Sequence, residues 1–373
     1  MTSHPSHPRG PDAGFAQRGR PRPSRHRPLR HLPHVFRAVA ALGAVALAVG
    51  LTSCGVAGAT DPDDERRLLL GHGAAPGNPR SLAAEHFSER VDEETDGRIE
   101  VQVLGQESLG SDSDMMVSVA SGTLDMSINS QGPFSPVVPE VNLVGLPFLF
   151  ESSEHAYEVI DGEAGDHLAA EAEERGYHVL AWWDNGIRDI TNSSRPIDDV
   201  EDFRGLQIRT PDDPMTIDIF NSLGASPTPM DFGELYLGLR QGAVDGQENP
   251  VVNVHSSSLH EVQKHLAVSG HKYELNPFVI STQTWATLTD EDRTLLTELA
   301  EESRDLQRDL MLEQTEEIYT EYEDILEITH PDRDALREAT DDVYEAWEQE
   351  HPEFFELITE AAEQTRADHE ETP

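Results

Sequence analysis

The stretch DFGELYLGLRQGAVDGQENP, residues 231–250, predicts an amphipathic helix that ends at a glycine and is followed by a turn. Asp231 and Glu234 stand where a capping box would begin the helix, and Gly242 stands where the helix would end. We therefore assign these carboxylates a structural role rather than a catalytic one. The apolar face of the predicted helix consists of Phe232, Leu235, Tyr236 and Leu239.

A short polar segment follows this helix. The pair Asp245 and Gly246 predicts a turn that leads into the residues QENP at 247–250. The amide of Asn249 offers both donors and an acceptor, and Pro250 fixes the backbone beside it. This combination suits the holding of a ligand rather than its cleavage.

Strands and helices alternate on both sides of the opening stretch. Each predicted helix ends at a glycine or at a change of periodicity, and a long charged helix is expected over residues 289–328. This order predicts a layered α/β architecture with largely parallel sheets. Apolar or alternating runs predict strands at 66–71, 99–103, 124–130, 177–186 and 206–211, and helical patterns lie at 79–95, 111–121, 153–175 and 213–223.

Length and charge limit the possible functions. The chain has 373 residues, which is enough for two domains, and it carries 27 Lys plus Arg against 71 Asp plus Glu. Binding to nucleic acid or to an anionic membrane surface needs clustered cations, so this balance excludes both as general partners. An anionic partner must be bound locally by particular cationic residues.

The N-terminal residues have the composition of an export signal. Residues 1–37 are basic and rich in Pro and His, and the apolar run of about fourteen residues at 38–51 is too short to span a membrane. We therefore predict a signal peptide over 1–53. Cys54, the only cysteine, follows Leu-Thr-Ser as in a bacterial lipobox. The pattern predicts lipidation of Cys54, a tether over 54–64 and an anchored position on the outer face of the cytoplasmic membrane.

Two patterns that could indicate an enzyme or a metal protein have the wrong spacing, and a third is absent. The glycines of GHGAAPG at 71–77 do not match a dinucleotide loop. His260 and His265 in HEVQKH are five residues apart, which places them on different faces of a helix. No G-x-S-x-G motif occurs in the chain. We therefore predict no catalytic residue, no metal and no cofactor.

Two arginines lie at positions that favour binding of an anion. Arg209 ends the predicted strand LQIRTP, and ligands of α/β proteins usually bind at the open ends of strands. Arg188 lies between extended segments in DNGIRDIT. Surface ion pairs with the abundant acids remain an alternative for both. A guanidinium at the end of a buried strand needs a partner, and a ligand carboxylate would suit it.

Several motifs occur in the order seen in the DctP-type solute receptors of tripartite ATP-independent periplasmic (TRAP) transporters. The resemblance covers residues 67–285 and implies a two-lobed α/β fold of the periplasmic-binding-protein kind. Each lobe would be a mixed sheet flanked by helices, and a long helix would span both lobes. The motifs are GRIEVQV, SGTLDMSI, PFLF, DNGIRDITNSSRPI, GLQIRTP and LGASPTPMDFGELYLGLRQGAVDGQENPVVNVHSS.

This resemblance also implies the boundaries of the lobes. Lobe I would comprise 65–186 plus 275–314, and lobe II would comprise 187–274 plus 315–365. Residues 366–373 are expected to form an acidic tail.

The resemblance further implies a set of ligand-binding residues. Arg209 would be the main carboxylate clamp, Arg188 the second arginine, and Asn249 an amide that also meets the carboxylate. Phe232 would form the aromatic wall. Ser130 stands where sialic-acid receptors of the family carry a glutamate, which disfavours that ligand. The residues expected to face the distal part of the ligand are His72, Asn78, Ser130 and Gln131.

The predicted function is therefore that of an exported receptor. It would bind an organic acid, either a C4-dicarboxylate or a sugar acid such as a uronate, and pass it to a TRAP membrane permease driven by an ion gradient. A secreted hydrolase of small esters or sugars that uses cleft carboxylates is the alternative, and a surface adhesion lipoprotein is a third possibility. Binding without turnover distinguishes the receptor from the hydrolase.

We expect the folded protein to be stabilised by salt. Without residues 1–53 the chain carries 19 Lys plus Arg against 70 Asp plus Glu, and such charges repel one another unless counterions screen them. The screening length falls from about 10 Å at 0.1 M salt to about 3 Å at 1 M. The midpoint of thermal unfolding, followed by circular dichroism, should therefore rise over this range. A constant or falling midpoint would contradict the expectation.

Overall fold

The structure is a computed structural model that describes residues 65–369. The predicted signal peptide, Cys54 and the tether at 54–64 lie outside the described residues. The strands are β1 Arg66–His72, β2 Ile99–Leu104, β3 Met126–Ile128, β4 Tyr177–Asn192, β5 Gln207–Thr210, β6 Ser226–Pro229, β7 Gly246–Asn249, β8 His265–Ser281 and β9 Glu327–Thr329.

Two long antiparallel strands join the two halves of the fold. Strands β4 and β8 have 16 and 17 residues and pair from Tyr177↔Ser281 to Asn192↔His265. On one side of them lie β3, β1 and β2, and on the other lie β7, β5 and β6. Within each of these groups the strands are parallel, and each group meets the long pair in an antiparallel contact.

The resemblance implies a mixed sheet in each lobe. In the structure the strands of the two lobes form one continuous sheet. Within residues 65–369 a single nine-stranded sheet has the order β2-β1-β3-β8-β4-β7-β5-β6, with β9 beside β8. The two halves are continuous because β4 and β8 are long enough to pair with strands of both groups. The mixed α/β architecture predicted from the alternating pattern is confirmed.

Helices cover the sheet. They are α1 Pro79–Glu94, α2 Asp112–Ala120, α3 Gln131–Phe134, α4 Ser153–Ile160, α5 Glu163–Glu173, α6 Pro214–Ser222, α7 Phe232–Gln241, α8 Val251–Ser256, α9 Thr282–Thr287, α10 Asp290–Tyr322, α11 Arg333–Ala339, α12 Asp341–Glu350 and α13 Pro352–His369. The long helix predicted over 289–328 corresponds to α10, which packs on α1 in one half and on α8 in the other.

The apolar core follows the same division. Phe87 of α1 packs edge-on against Phe278 of β8, with ring centroids 5.0 Å apart, beneath the first half of the sheet. In the second half, Leu235 of α7 lies in a cluster with Tyr322 of α10. The stripe predicted for α7 therefore faces the core, where burial of such side chains is favourable by about 1.5 to 3 kcal/mol each.

Some local predictions differ from the structure. The helical pattern at 153–175 forms two helices, because Asp161 and Gly162 interrupt it. The segment SPTP at 226–229, whose two prolines are typical of a turn, forms β6 beside β5. Helix α13 continues to His369, four residues into the stretch predicted as a tail. Arg366 explains this, since it pairs with Glu151 and donates to the carbonyl of Leu149.

Among residues 65–369, none of the helices combines the length and the apolar character needed to cross a bilayer.

Candidate functional site

A cleft lies at the carboxyl ends of the parallel strands in both halves of the sheet. It consists of two adjoining cavities that share Glu107, Asp112, Ser130, Phe232 and Asn249. Its position agrees with the rule that ligands of open α/β sheets bind outside the carboxyl ends of strands. The first cavity is lined by Glu107, Asp112, Ser113, Ser130, Pro133, Arg188, Arg209, Pro211, Asp212, Met230, Asp231, Phe232, Asn249 and Glu274.

Arg209 supplies a buried guanidinium to this cleft. It lies on β5 with 3% of its surface exposed, and its Nε and Nη2 donate to the carbonyl of Met230 at 2.9 and 2.6 Å. Among residues 65–369, no carboxylate forms an ion pair with it within 4.0 Å. Burial lowers the pKa of Arg209 to about 10, and Arg188 adds to this while Glu248 opposes it. The charge of Arg209 is thus incompletely balanced by the protein.

Arg188, in contrast, is paired with two buried carboxylates. Its Nε and Nη2 donate to the carboxylate of Glu248, with Nη2 to Oε1 at 2.7 Å, and its Nη1 donates to Glu274 at 2.8 Å. Burial opposes the charge of Arg188, but the two carboxylates outweigh it and raise the pKa. Arg188 is therefore held rigidly at the floor of the cleft.

The buried ion pairs continue away from the cleft. Lys272 donates to Glu274 at 2.8 Å and to the hydroxyl of Thr216 at 2.6 Å, and it also pairs with Asp213. Burial opposes the charge on Lys272, but the carboxylates outweigh it and raise its pKa. Removal of one partner from such a buried network leaves an uncompensated charge, which costs about 3 to 5 kcal/mol. These contacts fix the strands that carry the arginines.

Two further predicted residues line the cleft beside the arginines. Asn249 ends β7, is 4% exposed and donates from Nδ2 to the side chain of Gln247. Phe232 begins α7, and the guanidinium carbon of Arg209 lies 5.8 Å from the centre of its ring. Phe232 therefore forms an apolar side of the cleft next to a cation, a favourable arrangement for an aromatic ring.

The four residues predicted to face the distal part of a ligand have different positions. Ser130 lines both cavities, and its hydroxyl lies 3.5 Å from Nη2 of Arg80. His72 is buried against Gly105, and burial followed by the charge of Arg80 lowers its pKa to about 4. The structure thus brings Ser130 to the cleft and leaves His72 behind its wall.

Asn78 and Gln131 also lie outside the lining of the two cavities. Asn78 caps α1 by accepting from the amide of Arg80, and its Nδ2 donates to Asn253 at 2.9 Å. Gln131 is fully buried and accepts from the amide of Leu275. Both side chains hold elements together near the cleft.

The predicted capping role of Asp231 is wrong. Asp231 occupies the N-cap position of α7, but its side chain makes no capping hydrogen bond. The amide of Gly233 donates instead to the carboxylate of Glu107, which comes from the loop after β2. The sequence could not reveal this contact, because Glu107 lies more than a hundred residues away along the chain.

Other residues of the cleft were also missed. Asp112 begins α2, and its carboxylate accepts from the amide of Ser130 at 3.0 Å. Arg80 is buried and donates to the side-chain oxygens of Asn185 and Asn276. The position of Asp112 in the first turn of a predicted helix could have indicated its place in the cleft. Nothing in the local sequence distinguishes Arg80 from a surface arginine.

Other features of the described residues were considered as sites. Glu140, His167 and Glu171 bring three possible metal ligands within 4.8 Å of one another. This group is partly exposed and includes none of the residues that line the cleft, and Glu171 already pairs with Arg175 at 2.7 Å. We assign it no function.

A cavity of about 630 Å³ lies between β4, β8, α10 and residues 330–333. It is larger than the cleft but contains none of the predicted ligand-binding residues. Its buried carboxylate Asp189 is already bound by the amide of Gly270 and by the hydroxyl of Tyr319. The cleft with its unpaired guanidinium is therefore the better candidate for a binding site.

Comparison with known proteins identifies the family of this chain. Residues 70–350 match the family described as bacterial extracellular solute-binding protein, family 7, or DctP. Protein y4mM of Sinorhizobium fredii is 46% identical over 281 residues, which cover 75% of this chain and 52% of that protein. The 2,3-diketo-L-gulonate-binding periplasmic protein YiaO of Escherichia coli is 35% identical over 274 residues, covering 73% of this chain and 84% of that protein.

A solved structure is similar over most of the described chain. The sugar acid binding protein DctPAm of Advenella mimigardefordensis, in complex with galactonate, matches with a TM-score of 0.79 and 30% identity. The match covers 81% of this chain and 99% of that one.

The fold is that of an extracytoplasmic solute-binding protein, a class whose members bind substrates for transporters and are not enzymes. This chain belongs to the DctP family of TRAP transporter solute-binding proteins, as the resemblance of its motifs predicts.

We expect Glu248→Gln to destabilise the protein by about 3 to 5 kcal/mol at pH 7, because Arg188 loses a buried carboxylate. Burial opposes ionisation of Glu248, but Arg188 and His271 outweigh it and hold its pKa at about 2, below the ordinary value of 4.5. The stabilisation is therefore complete above pH about 4.5 and is lost as the pH falls towards about 2. Urea unfolding from neutral to acidic pH measures the difference between variant and wild type.

Glu100→Gln is the matched control for this prediction. Glu100 pairs with Arg67 at 2.9 Å, but both side chains are more than half exposed, so little change in stability is expected. The assignment would be contradicted if Glu248→Gln lost no more free energy of unfolding than Glu100→Gln. It would also be contradicted if the loss grew as the pH fell.

Proposed function

We propose that this protein is the receptor of a TRAP transporter, that it captures an organic acid in the cleft at Arg209, and that it delivers the acid to a membrane permease. The observation that carries the proposal is the buried guanidinium of Arg209, which faces the cleft without an ion-pair partner within the described residues. A carboxylate is the natural ligand for such a group, because two parallel N–H···O bonds match its geometry.

The cleft residues have distinct roles in this proposal. Arg209 provides a charged hydrogen bond, with a net contribution of about 1.5 to 3 kcal/mol. Arg188 is already neutralised by two glutamates, so it orients the carboxylate without leaving a strong excess of charge. Asn249 donates a further hydrogen bond, Phe232 excludes water, and Ser130 meets the distal part of the ligand.

Closure of the cleft would follow from contacts with both halves of the sheet. We propose lobe I at 65–186 plus 275–314 and lobe II at 187–274 plus 315–365, with β4, β8 and α10 crossing between them. The cleft is lined from both lobes, by Ser130 in the first and by Arg209 in the second. A ligand that contacts both binds the closed state more tightly and shifts the population towards it.

The ligands of similar proteins support an organic acid. DctPAm is described with galactonate, and YiaO is described as binding 2,3-diketo-L-gulonate. Both ligands are sugar acids. A C4-dicarboxylate is the second class that the arginine clamp would accept.

We also propose export and lipid anchoring at Cys54. The support is the sequence alone: an apolar run of signal-peptide length followed by Leu-Thr-Ser and a unique cysteine. Multiple acyl chains anchor a protein durably, because each buried methylene contributes about 0.8 kcal/mol. Such an anchor would hold the receptor beside its permease.

We expect Arg209→Lys to weaken binding of the preferred acid about tenfold to 150-fold, because lysine keeps the charge but cannot form the paired hydrogen bonds. Isothermal titration with galactonate, glucuronate and succinate measures the change. Arg240→Lys is the matched control, since Arg240 lies exposed in the last turn of α7 away from the cleft. Undiminished binding by a folded Arg209→Lys variant would refute the clamp.

Lipidation of Cys54 predicts a membrane-bound mature protein. Expression of the full chain in a bacterium that processes lipoproteins should give a membrane fraction whose N-terminal peptide carries acyl chains on Cys54, as measured by mass spectrometry. Cys54→Ser should release the protein into the soluble extracytoplasmic fraction. An unmodified wild-type N-terminus at another residue would contradict the anchor.

A further inference from the structure

The cleft proposed to bind an acid is surrounded by acidic side chains. Asp112, Asp212 and Asp231 line it together with Glu107. Three arginines line the two cavities: Arg188 is paired with two glutamates, Arg80 donates to the side-chain oxygens of Asn185 and Asn276, and Arg209 donates to the carbonyl of Met230. The first cavity therefore presents Arg209 to a ligand carboxylate among these four acidic side chains.

Glu107 is held in place by its own backbone. Its φ is 53° and that of Gln106 is 59°, values at which residues other than glycine are uncommon and strained by about 1 to 3 kcal/mol. The amide of Glu107 donates to the carbonyl of His72 at 3.2 Å, and its carbonyl accepts from the amide of Gly110 at 3.0 Å. The loop is thus fixed in the conformation that directs this side chain into the cleft.

The carboxylate of Glu107 crosses the cleft. It accepts a hydrogen bond from the amide of Gly233, in the first turn of α7, where the helix dipole also favours negative charge. A side chain at position 233 would meet Oε2 of Glu107, and the Glu107 side chain would have to shift to make room for it. Glu107 therefore closes the side of the cleft next to Phe232.

Burial disfavours the ionised form of Glu107, and neighbouring carboxylates disfavour it further. Burial, Asp112 and Asp231 raise its pKa to about 7, while the Gly233 amide and Arg209 lower it. A further anion at this point would add like-charge repulsion in a partly dehydrated site. A hydroxyl group would instead donate a hydrogen bond to one of these carboxylates, which in the ionised state can accept hydrogen bonds but cannot donate them.

We propose that Glu107 determines specificity by excluding a second ligand carboxylate, so that the receptor takes polyhydroxy monocarboxylates, the sugar acids, in preference to C4-dicarboxylates. The inference rests on the proposed function, because it assumes that one ligand carboxylate binds at Arg209. The hydroxyls of the ligand extend towards Glu107, Asp112 and Asp231. The second carboxylate of succinate would meet the same three acids.

Titration calorimetry of wild type and Glu107→Gln with galactonate and succinate tests the proposal. At pH 8 we expect wild type to bind galactonate at least 100-fold more tightly than succinate. Glu107→Gln keeps an acceptor for the amide of Gly233 but removes the charge. It should reduce the preference for galactonate over succinate about tenfold or more, mainly by tighter binding of succinate. Glu234→Gln is the matched control, because it removes the same charge from the first turn of α7 at an exposed position outside the cleft lining.

The pH dependence provides a second readout. The charged groups that face Glu107 are Asp112 from α2, Asp231 before α7, Arg209 from β5 and Arg80 from α1. Because the pKa of Glu107 is about 7, its ionisation between pH 6 and pH 8 should weaken succinate binding to wild type. The affinity of Glu107→Gln for succinate should change less over the same range.

The outcomes distinguish this inference from the proposed function. If wild type binds succinate as tightly as galactonate, or if Glu107→Gln leaves the ratio unchanged, the role of Glu107 is refuted while the receptor function stands. If wild type binds neither these acids nor glucuronate and malate, the proposed function fails and the inference fails with it. The control can also overturn the specific role of Glu107. If Glu234→Gln reduces the preference for galactonate over succinate as much as Glu107→Gln does, the effect is one of general charge.

Discussion

The pairing of β4 with β8 is the constraint on which the rest of this structure depends. These strands carry Arg188, Lys272 and Glu274 in the middle of the sheet, where each buried charge has an opposite partner. Removal of a charge from water is costly unless the charge is paired in good geometry. The ion pairs therefore specify how the two halves of the sheet meet, and they fix the floor of the cleft.

The distribution of charge explains how a strongly acidic chain can bind an acid. Attraction cannot come from the whole molecule, whose net charge of −44 repels anions. It comes instead from Arg209, which is shielded from bulk solvent and whose nearest hydrogen-bond acceptor is the carbonyl of Met230. At close range in a partly buried cleft, one such guanidinium outweighs a diffuse surface charge that salt screens.

Much of the fold and part of the site could be predicted from the sequence. The alternation of strands and helices indicated the α/β architecture, because periodicity depends only on nearby residues. Arg209 was singled out because it lies near the end of a predicted strand, and Asn249 because its amide stands beside a proline after a predicted turn. Glu107 was missed, and the capping role was assigned wrongly to Asp231, because a local pattern cannot show that a distant carboxylate occupies the helix terminus.

The sequence by itself determined the order of the elements, the acidic surface and the positions of Arg188 and Arg209 along the chain. Only the tertiary structure decided which arginine is free to bind. Arg188 and Arg209 look equivalent in sequence, but Glu248 and Glu274 neutralise the first and leave the second unpaired within the described residues. The physical reason is that strand pairing brings together side chains from β4, β7 and β8, and ion pairing depends on distance in space rather than along the chain.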